Sequence, residues 1–320
     1  MNQFSLILKE LSQTELESVL VTVIHVEGSA YLREGTTMLI KKDDTTVGMI
    51  SSGCLEEDVV QQAKKVFEDK KAMTLVYDMA DSDDWGVGNG CNGTLYLILE
   101  YIDEGLKQKL LSILDDMNSG LHIIHQKIFN KKYEFMHSVF DSLHHQPNDS
   151  NDRKLIPHES GYVFTHMIVP KKRLIIFGAG IDVKPLVVMA GSCDFHVILI
   201  DSNPLICNEQ NIPGADQYMV ASPLYSAIRE LEIQKNDFIV IMTHHYLKDK
   251  NILQKLKGKV VDYIGIMGTK KRTKKLLDSN IANNHYSPIG LDIGAEGPYE
   301  IAVSIMAELI KIRNEKRMYK

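Results

Sequence analysis

The chain has 320 residues, which is enough for two domains that each bury a full core. With 44% hydrophobic residues, 24% charged residues and a formal net charge of −6, it has the composition of a soluble globular protein. The charge argues against a general nucleic-acid or anionic-membrane binder, and no apolar run approaches the length of a transmembrane helix. Residues 1–9 do not form a signal peptide pattern, and four cysteines are too few for a disulfide scaffold. We therefore expect a cytoplasmic protein with free thiols.

The first half of the chain mixes helical and strand patterns. Apolar spacing predicts helices over 3–20, 55–67 and 105–117, and strands over 20–26, 37–40, 45–50, 73–78, 94–100, 121–129 and 162–169. The polar segment at about 144–155 is expected to be a mobile surface loop. These elements predict an α+β domain over residues 1–169.

The second half of the chain alternates strands with helices. Strands are predicted over 173–177, 196–200, 217–220, 237–242 and 261–266, and a final amphipathic helix from about 298 to 313. Such alternation is typical of a parallel sheet covered on both faces. We therefore predict an α/β protein in which residues 170–320 form a Rossmann-like, doubly wound parallel-sheet domain.

A tight glycine turn follows the first of these strands. Gly178 and Gly180 flank Ala179 between a strand and a helix, which is the arrangement that brings backbone amides close to a phosphate. Asp201 ends the next strand, about 20 residues later, where a carboxylate commonly holds ribose hydroxyls. Val183 stands where the third glycine of the fingerprint is usual. The turn predicts nucleotide or phosphate binding, and the alternative is a turn kept for packing alone.

Two further segments follow later strands of the same sheet, so their side chains are expected at the same carboxyl edge. One contains His244 beside His245, and because neighbouring side chains on extended backbone point apart, we expect one histidine at most to face a ligand. The other contains Gly268, followed by Lys270, Lys271 and Arg272 in the first turn of a helix. Positive charge is unfavourable there, which hints at an anionic partner, although a solvated charged face is the simpler explanation.

Two glycine-cysteine segments lie in the first half. Cys54 follows Gly53 just before a helix, a position that favours the thiolate, whereas Glu56, Glu57 and Asp58 oppose it. Cys91 is surrounded by glycines that permit close approach of a ligand, namely Gly86, Gly88, Gly90 and Gly93. We interpret Cys54 and Cys91 as functional, and Cys193 and Cys207 as small core residues.

Taken together, these segments resemble the XdhC/CoxI family, accessory factors for xanthine dehydrogenase and related molybdenum hydroxylases. The resemblance covers nearly the whole chain. It rests on Gly28-Ser29, Gly35, Gly48, Ser52-Gly53-Cys54-Leu55-Glu56, Gly88-Asn89-Gly90-Cys91-Asn92-Gly93, Gly178-Ala179-Gly180, Asp201, Thr243-His244, Gly265, Gly268 and the segments 288–295 and 300–308. The chain departs from the family where Ser52 and Asn92 replace usual glycines and Asn203 replaces a frequent arginine.

The resemblance implies a chaperone that binds molybdenum cofactor (molybdopterin), supports its sulfuration by a cysteine desulfurase and delivers it to apo xanthine dehydrogenase or a related hydroxylase of purine catabolism. No catalytic residue is assigned. Cys54 and Cys91 are the implied neighbours of molybdenum. The implied cofactor-binding residues are Gly53, Cys54, Glu56, Gly90, Cys91, Gly93, Gly178, Gly180, Asp201, His244, Gly268, Lys271 and Arg272.

Two alternatives remain open at this point. A nicotinamide-dependent oxidoreductase accounts for the Rossmann half and leaves the cysteine segments unexplained. A stable subunit of a xanthine dehydrogenase complex accounts for the resemblance as well, although the chain lacks the spacing of iron–sulfur ligands and is too short to be the complete enzyme. A homodimer is expected, with no nucleic-acid or membrane partner.

Overall fold

A computed structural model describes residues 3–28, 32–51, 53, 55–78, 93–144, 153–276 and 284–318. The chain divides into two compact units, an N-terminal unit of residues 2–170 and a C-terminal unit of residues 171–320. None of the helices in the described ranges is both long enough and apolar enough to cross a membrane.

The N-terminal unit is built on an antiparallel sheet. Its elements are α1 (Gln3–Leu11), β1 (Ser18–Glu27), β2 (Thr37–Lys41), β3 (Thr46–Gly48), α2 (Glu56–Asp69), β4 (Met73–Asp78), β5 (Thr94–Tyr101), α3 (Glu104–Asn118), β6 (His122–Asn130), β7 (Phe135–Leu143), β8 (Lys154–His158) and β9 (Gly161–Ile168). The first five strands pair in the order β3-β2-β1-β5-β4, so β1 is central. Alternate residues of β1 face opposite sides: Val21 packs in the core that contains Val59 of α2, and Leu20 in the core that contains Phe4 of α1.

The remaining strands of this unit form a second antiparallel sheet in the order β7-β6-β9-β8. The buried face of β6 carries two polar residues, His125 and Lys127, between the apolar Ile123 and Phe129. Lys127 forms an ion pair with Glu100 of β5, which is also buried, and Ser138 of β7 donates to the same carboxylate at 3.1 Å. A charged pair is tolerated in this core because each member has hydrogen-bond partners.

The C-terminal unit is a parallel sheet with helices on both faces. Its elements are β10 (Lys172–Phe177), α4 (Lys184–Ser192), β11 (Phe195–Asp201), β12 (Gln217–Val220), α5 (Ala227–Glu230), β13 (Phe238–Ile241), α6 (Tyr246–Leu256), β14 (Tyr263–Ile266), α7 (Lys270–Leu276), β15 (His285–Tyr286) and α8 (Gly297–Met318). The strand order is β12-β11-β10-β13-β14-β15, and every pair is parallel. The chain order reverses at β10, between β11 and β13, which is where open α/β sheets bind ligands.

Consecutive residues of β10 are buried in different layers. Ile176 packs with residues of α4 and α8, whereas Ile175 packs with residues of α5 and α6. A strand covered on both faces needs apolar residues at every position, which explains the continuous apolar run in the sequence. The predicted fold class, an α+β region followed by a doubly wound Rossmann-like domain, is confirmed.

Several local elements differ from those predicted. The helix expected over 3–20 ends at Leu11, and Ser18 to Leu20 belong to β1, where Leu20 is buried in the sheet. Strands β7 and β8 were not expected, because both lie at edges of their sheet and many of their residues are exposed. The two-residue edge strand β15 was not expected either. The segment expected to be a loop contains the start of β8 at Lys154, and residues 145–152 lie outside the described part of the chain.

Candidate functional site: the carboxyl edge of the parallel sheet

The glycine turn after β10 is held by backbone contacts on both sides. Gly178 has φ +110°, and a Cβ there would lie 2.5 Å from the carbonyl oxygen of Met242. The next residue, Ala179, donates its N–H to Oδ2 of Asp201 at 2.9 Å. Gly180 precedes a short 3-10 turn, Ile181–Val183, in which Val183 is fully buried. The turn is therefore packed directly on the end of β13.

Asp201 is buried against this turn and supports it. Besides the bond from Ala179, its Oδ1 accepts the N–H of Asn203 at 3.0 Å. Only 9% of the residue is exposed. The position of this carboxylate in the sequence predicts a role in binding ribose hydroxyls; in the structure each of its oxygens already accepts a backbone N–H.

Asp182 and His244 form a pair at the point where the strand order reverses. Nε2 of His244 lies 2.7 Å from Oδ2 of Asp182, which stands two residues after Gly180. His244 has φ +55°, a backbone conformation that non-glycine residues rarely adopt. Its neighbour His245 has a different partner, since its ring accepts the N–H of Lys248 as the cap of α6. The two histidines thus serve different elements, as expected for adjacent side chains.

A buried carboxylate connects the segments that follow β13 and β14. Asp249 is 1% exposed and accepts hydrogen bonds from the hydroxyl of Thr243 and, at 2.6 Å, from the guanidinium of Arg272. Arg272 also donates to the carbonyl oxygen of Met267 at 2.9 Å and lies over Gly268. Its charge is therefore compensated inside the protein, whereas Lys270 and Lys271 at the start of α7 are exposed.

A lysine that the sequence motifs do not include also lies at the carboxyl edge of the sheet, in the crevice between the segments that follow β11 and β13. Nζ of Lys248, in the first turn of α6, donates to Oγ of Ser202 at 3.1 Å. Ser202 directly follows Asp201 at the end of β11. Lys248 is half-buried. The crevice thus contains a hydroxyl and an ammonium beside the carboxylate that the sequence indicated.

In the N-terminal unit, Glu56 holds the segment that leads to Cys54. Its carboxylate accepts the N–H of Ser51 at 2.8 Å and of Ile50 at 3.1 Å, as well as the hydroxyl of Ser51. Ser51 Oγ in turn accepts the N–H of Gly53 at 3.2 Å. Burial raises the pKa of Glu56, but these hydrogen bonds outweigh it and lower the pKa overall. Glu56 therefore acts as an anionic clamp on the loop.

Only some of the other residues expected near the two thiols belong to the described part of the chain. Cys54, Gly90 and Cys91 lie outside the described residues, as do Ser52 and Asn92. Gly93 is buried immediately before β5. Of the remaining cysteines, Cys207 is buried as expected, and burial raises the pKa of its thiol, while Cys193 is half-buried.

The N-terminal unit also has a half-open groove of about 520 Å³. Aromatic side chains contribute much of its lining, among them Tyr101, Phe135 and Phe140. Ser138 lines it too, and this hydroxyl connects the groove to the buried pair of Glu100 and Lys127. The groove was not expected from the sequence, because its residues come from β5, α3 and β7, and β7 was not predicted.

Comparison with known proteins identifies the family. Residues 174–309 match the XdhC Rossmann domain, and residues 12–78 match the XdhC and CoxI family. The chain is 37% identical to a protein of Bacillus subtilis described as a probable xanthine dehydrogenase subunit, over 98% of both chains. It is 19% identical to a molybdenum cofactor insertion chaperone of Escherichia coli, covering 92% of this chain and 83% of the chaperone.

A solved structure gives the same result. The crystal structure of a xanthine dehydrogenase from Bacillus halodurans superposes with a TM-score of 0.86 at 40% identity, covering 98% of this chain and 96% of that one. Similarity of this extent spans both units. The chain belongs to the XdhC and CoxI family.

Proposed function

We propose that this protein is an accessory factor that binds molybdenum cofactor, supports its sulfuration and delivers it to xanthine dehydrogenase or a related molybdenum hydroxylase. The observation that carries the proposal is the similarity over nearly the full chain to a xanthine dehydrogenase subunit, together with the more distant similarity to a cofactor insertion chaperone. Molybdopterin carries a dithiolene and a phosphate, and its cargo form requires protection from water and oxygen.

The two units contribute different chemistry in this proposal. In the N-terminal unit, Cys54 and Cys91 are the proposed ligands of molybdenum or of the incoming sulfur, with Gly53, Glu56, Gly90 and Gly93 shaping their loops. Glu56 supports this role through the backbone that it clamps rather than by free charge.

In the C-terminal unit, the proposed cofactor-binding residues line the carboxyl edge of the sheet: Gly178, Gly180, Asp201, His244, Gly268, Lys271 and Arg272. Asp201 and Arg272 would act by holding the binding loops, because their charged groups already have partners in the protein. His244 and Lys271 are exposed and remain accessible to a ligand.

The geometry counts against a nicotinamide-dependent oxidoreductase. In such enzymes the acid at the end of the second strand binds the ribose, and the glycine turn receives the pyrophosphate. Here Asp201 accepts two backbone amides, and the Asp182 carboxylate stands beside the turn. A pyrophosphate at the turn would face that negative charge.

The description of the Bacillus subtilis relative favours a second candidate, a stable component of a xanthine dehydrogenase complex. Such a component co-purifies with the dehydrogenase in fixed proportion, whereas an insertion factor leaves after delivery. A cysteine desulfurase as sulfur donor, a homodimer and a cytoplasmic location complete the proposal.

Reconstitution tests delivery directly. An apo molybdenum hydroxylase is incubated anaerobically with released cofactor and a cysteine desulfurase, with and without this protein, and hydroxylase activity is measured. We expect activation that depends on the protein, is lost in Cys54→Ser and Cys91→Ser, and is retained in the control Cys193→Ser. Equal activation without the protein would contradict delivery, and a permanent complex with the hydroxylase would favour the second candidate.

A further inference from the structure

Lys248 spans the crevice of the C-terminal unit. It belongs to α6, which follows β13, and its ammonium is bonded to Ser202, which follows β11. Strands β11 and β13 are the two neighbours of β10. The side chain therefore crosses the carboxyl end of β10, above the glycine turn. This position is the one where ligands of open α/β sheets are bound.

The ammonium of Lys248 forms no ion pair with any carboxylate of the described residues. Its hydrogen bond is to the Ser202 hydroxyl, which in turn lies 3.5 Å from Oδ1 of Asp201, so that carboxylate is reached only through the hydroxyl. Lysine side chains normally extend into water, but this one is half-buried. Partial burial of a cation that lacks a direct ion pair is unfavourable, so the arrangement favours an anion bound from outside.

The neighbouring carboxylates do not fill that role. Asp201 accepts the backbone N–H groups of Ala179 and Asn203, and its Oδ1 also accepts the Ser202 hydroxyl at 3.5 Å, but it does not reach the ammonium itself. Asp249 is paired with Arg272, and Asp182 with His244. Each of these three acids thus has its own partner. The exposed cations Lys270 and Lys271 lie at the start of α7, beyond β14.

We propose that Lys248 and Ser202 form the subsite for a phosphate monoester at the end of β11. The phosphate oxygens would accept from the ammonium, and from the Ser202 hydroxyl once its proton turns away from Oδ1 of Asp201, to which it donates over a long 3.5 Å in the free protein. Lysine binds phosphate as a point charge, so one lysine and one hydroxyl suit a single terminal phosphate.

The same geometry disfavours a pyrophosphate. A pyrophosphate lying along the glycine turn would bring its charge beside Asp182, whose Oδ1 lies 2.5 Å from the place of a Cβ on Gly180. A terminal phosphate at Ser202 lies at the neighbouring strand end instead. The crevice therefore selects a monoester at one end and repels a pyrophosphate at the other.

Two kinds of ligand carry a phosphate monoester without a pyrophosphate: molybdopterin, through its terminal phosphate, and a nucleoside monophosphate. Binding of molybdopterin rests on the proposed function, whereas binding of a nucleotide does not. The subsite itself is defined by the phosphate and is tested separately from the cargo.

The first arm of the experiment measures the subsite with inorganic phosphate, and with AMP and adenosine, by calorimetry on the full-length protein. We expect phosphate to bind the wild type and Lys248→Arg, and to bind Lys248→Met at least tenfold more weakly and Ser202→Ala more weakly. Lys255→Met, an exposed lysine on the same helix, should match the wild type. Equal phosphate affinity of Lys248→Met and wild type, with both proteins folded by circular dichroism, would overturn the subsite.

The second arm identifies the source of the phosphate. Anaerobic gel filtration with released molybdopterin, followed by a pterin assay, is run on the same variants. Loss of pterin retention in Lys248→Met, and displacement of pterin by phosphate, would assign the subsite to the pterin cofactor. Binding of AMP but not adenosine that depends on Lys248, without pterin retention, would support the subsite and contradict the proposed function.

Discussion

At the scale of single residues, two charged side chains expected to contact a ligand bond to the backbone of neighbouring loops instead. Glu56 and Asp201 both carry charges that were expected, from the sequence, to contact a ligand. In the structure each carboxylate accepts backbone N–H groups of the loop beside it. Backbone amides that would otherwise need a ligand or water are thereby satisfied, and the loops are fixed before any cofactor arrives.

Replacement of Glu56 tests its role as a clamp. Glu56→Gln keeps the size of the side chain but loses the charge that strengthens three hydrogen bonds from Ile50 and Ser51. We expect the free energy of unfolding at pH 7 to fall by about 1 to 2 kcal/mol, measured by urea unfolding.

The same substitution has a defined pH dependence. The pKa of Glu56 is lowered in the folded protein, so its stabilisation is complete above the ordinary value of 4.5 and is lost as the pH falls through the lowered pKa. The difference between wild type and Glu56→Gln should therefore shrink in acid. A difference that is constant from pH 7 to pH 3 would show that the charge of Glu56 contributes nothing.

Asp182 is expected to weaken the binding of pyrophosphates. Asp182→Asn keeps a polar partner for His244 and removes one negative charge beside the glycine turn. A unit charge at about 4 Å is worth about 1 kcal/mol in water, so we expect about fivefold tighter binding of ADP by calorimetry. Glu209→Gln, an exposed acid elsewhere in this unit, is the control. Unchanged ADP affinity in Asp182→Asn would show that the carboxylate does not oppose pyrophosphate.

At the scale of elements, the contact between the glycine turn and β13 positions both sides of the crevice. Gly178→Ala would place a methyl group 2.5 Å from the carbonyl oxygen of Met242, in a backbone conformation with φ +110°. We expect a loss of more than about 2 kcal/mol in unfolding free energy, because the backbone must shift.

Gly258 provides a matched control for this substitution. It also has positive φ, at +82°, but a Cβ there would meet no atom within 4 Å. Gly258→Ala should therefore cost only about 1 kcal/mol, which is the strain of the left-handed conformation itself. Equal losses in the two variants, measured by urea unfolding, would mean that close packing of the turn is unimportant.

Strands buried on both faces were predictable, whereas edge strands were predicted only in part: β3, β4 and β12 were expected, and β7, β8 and β15 were not. Inner strands of the parallel sheet such as β10 and β13 stand out in the sequence because both of their faces are covered and nearly every residue is apolar. Strands β7 and β8 have exposed residues and no strict alternation, so their pairing depends on neighbours that local patterns do not reveal.

At the carboxyl edge of the sheet, residues that directly follow a strand were predictable, whereas residues that depend on distant partners were not. Gly178, Gly180 and His244 follow strands directly, so the carboxyl edge of the sheet brings them together. Asp182 and Lys248 were missed because their partners lie 62 and 46 residues away in the chain. An acid two residues after the glycine turn was a visible signal for Asp182; nothing near Lys248 in the sequence indicated Ser202.

At the scale of the whole molecule, the N-terminal unit buries ionisable groups that make its stability depend on pH. Burial lowers the pKa of His166 to about 3, assisted by the positive charges of Arg153 and Lys127. Burial also lowers the pKa of His125, again with Lys127 nearby. Both histidines are therefore neutral in the folded protein at pH values where the unfolded chain is protonated.

This difference predicts acid sensitivity. Below pH 6.5, the ordinary histidine pKa, the unfolded state binds protons that the folded state does not, so stability falls as the pH falls toward 3. Each such histidine contributes a slope of about 1.4 kcal/mol per pH unit. His166→Leu should reduce the slope by about that amount between pH 6 and pH 4, measured by urea unfolding. Parallel profiles for variant and wild type would contradict the assignment.

Anaerobic gel filtration with freshly released cofactor tests most directly whether this protein carries molybdenum cofactor. Fractions containing the protein are assayed for molybdenum and pterin, and NAD binding is measured in parallel. We predict that molybdenum and pterin co-elute with the protein and that NAD does not bind. NAD binding without either molybdenum or pterin would contradict the claim and move the protein to the oxidoreductases.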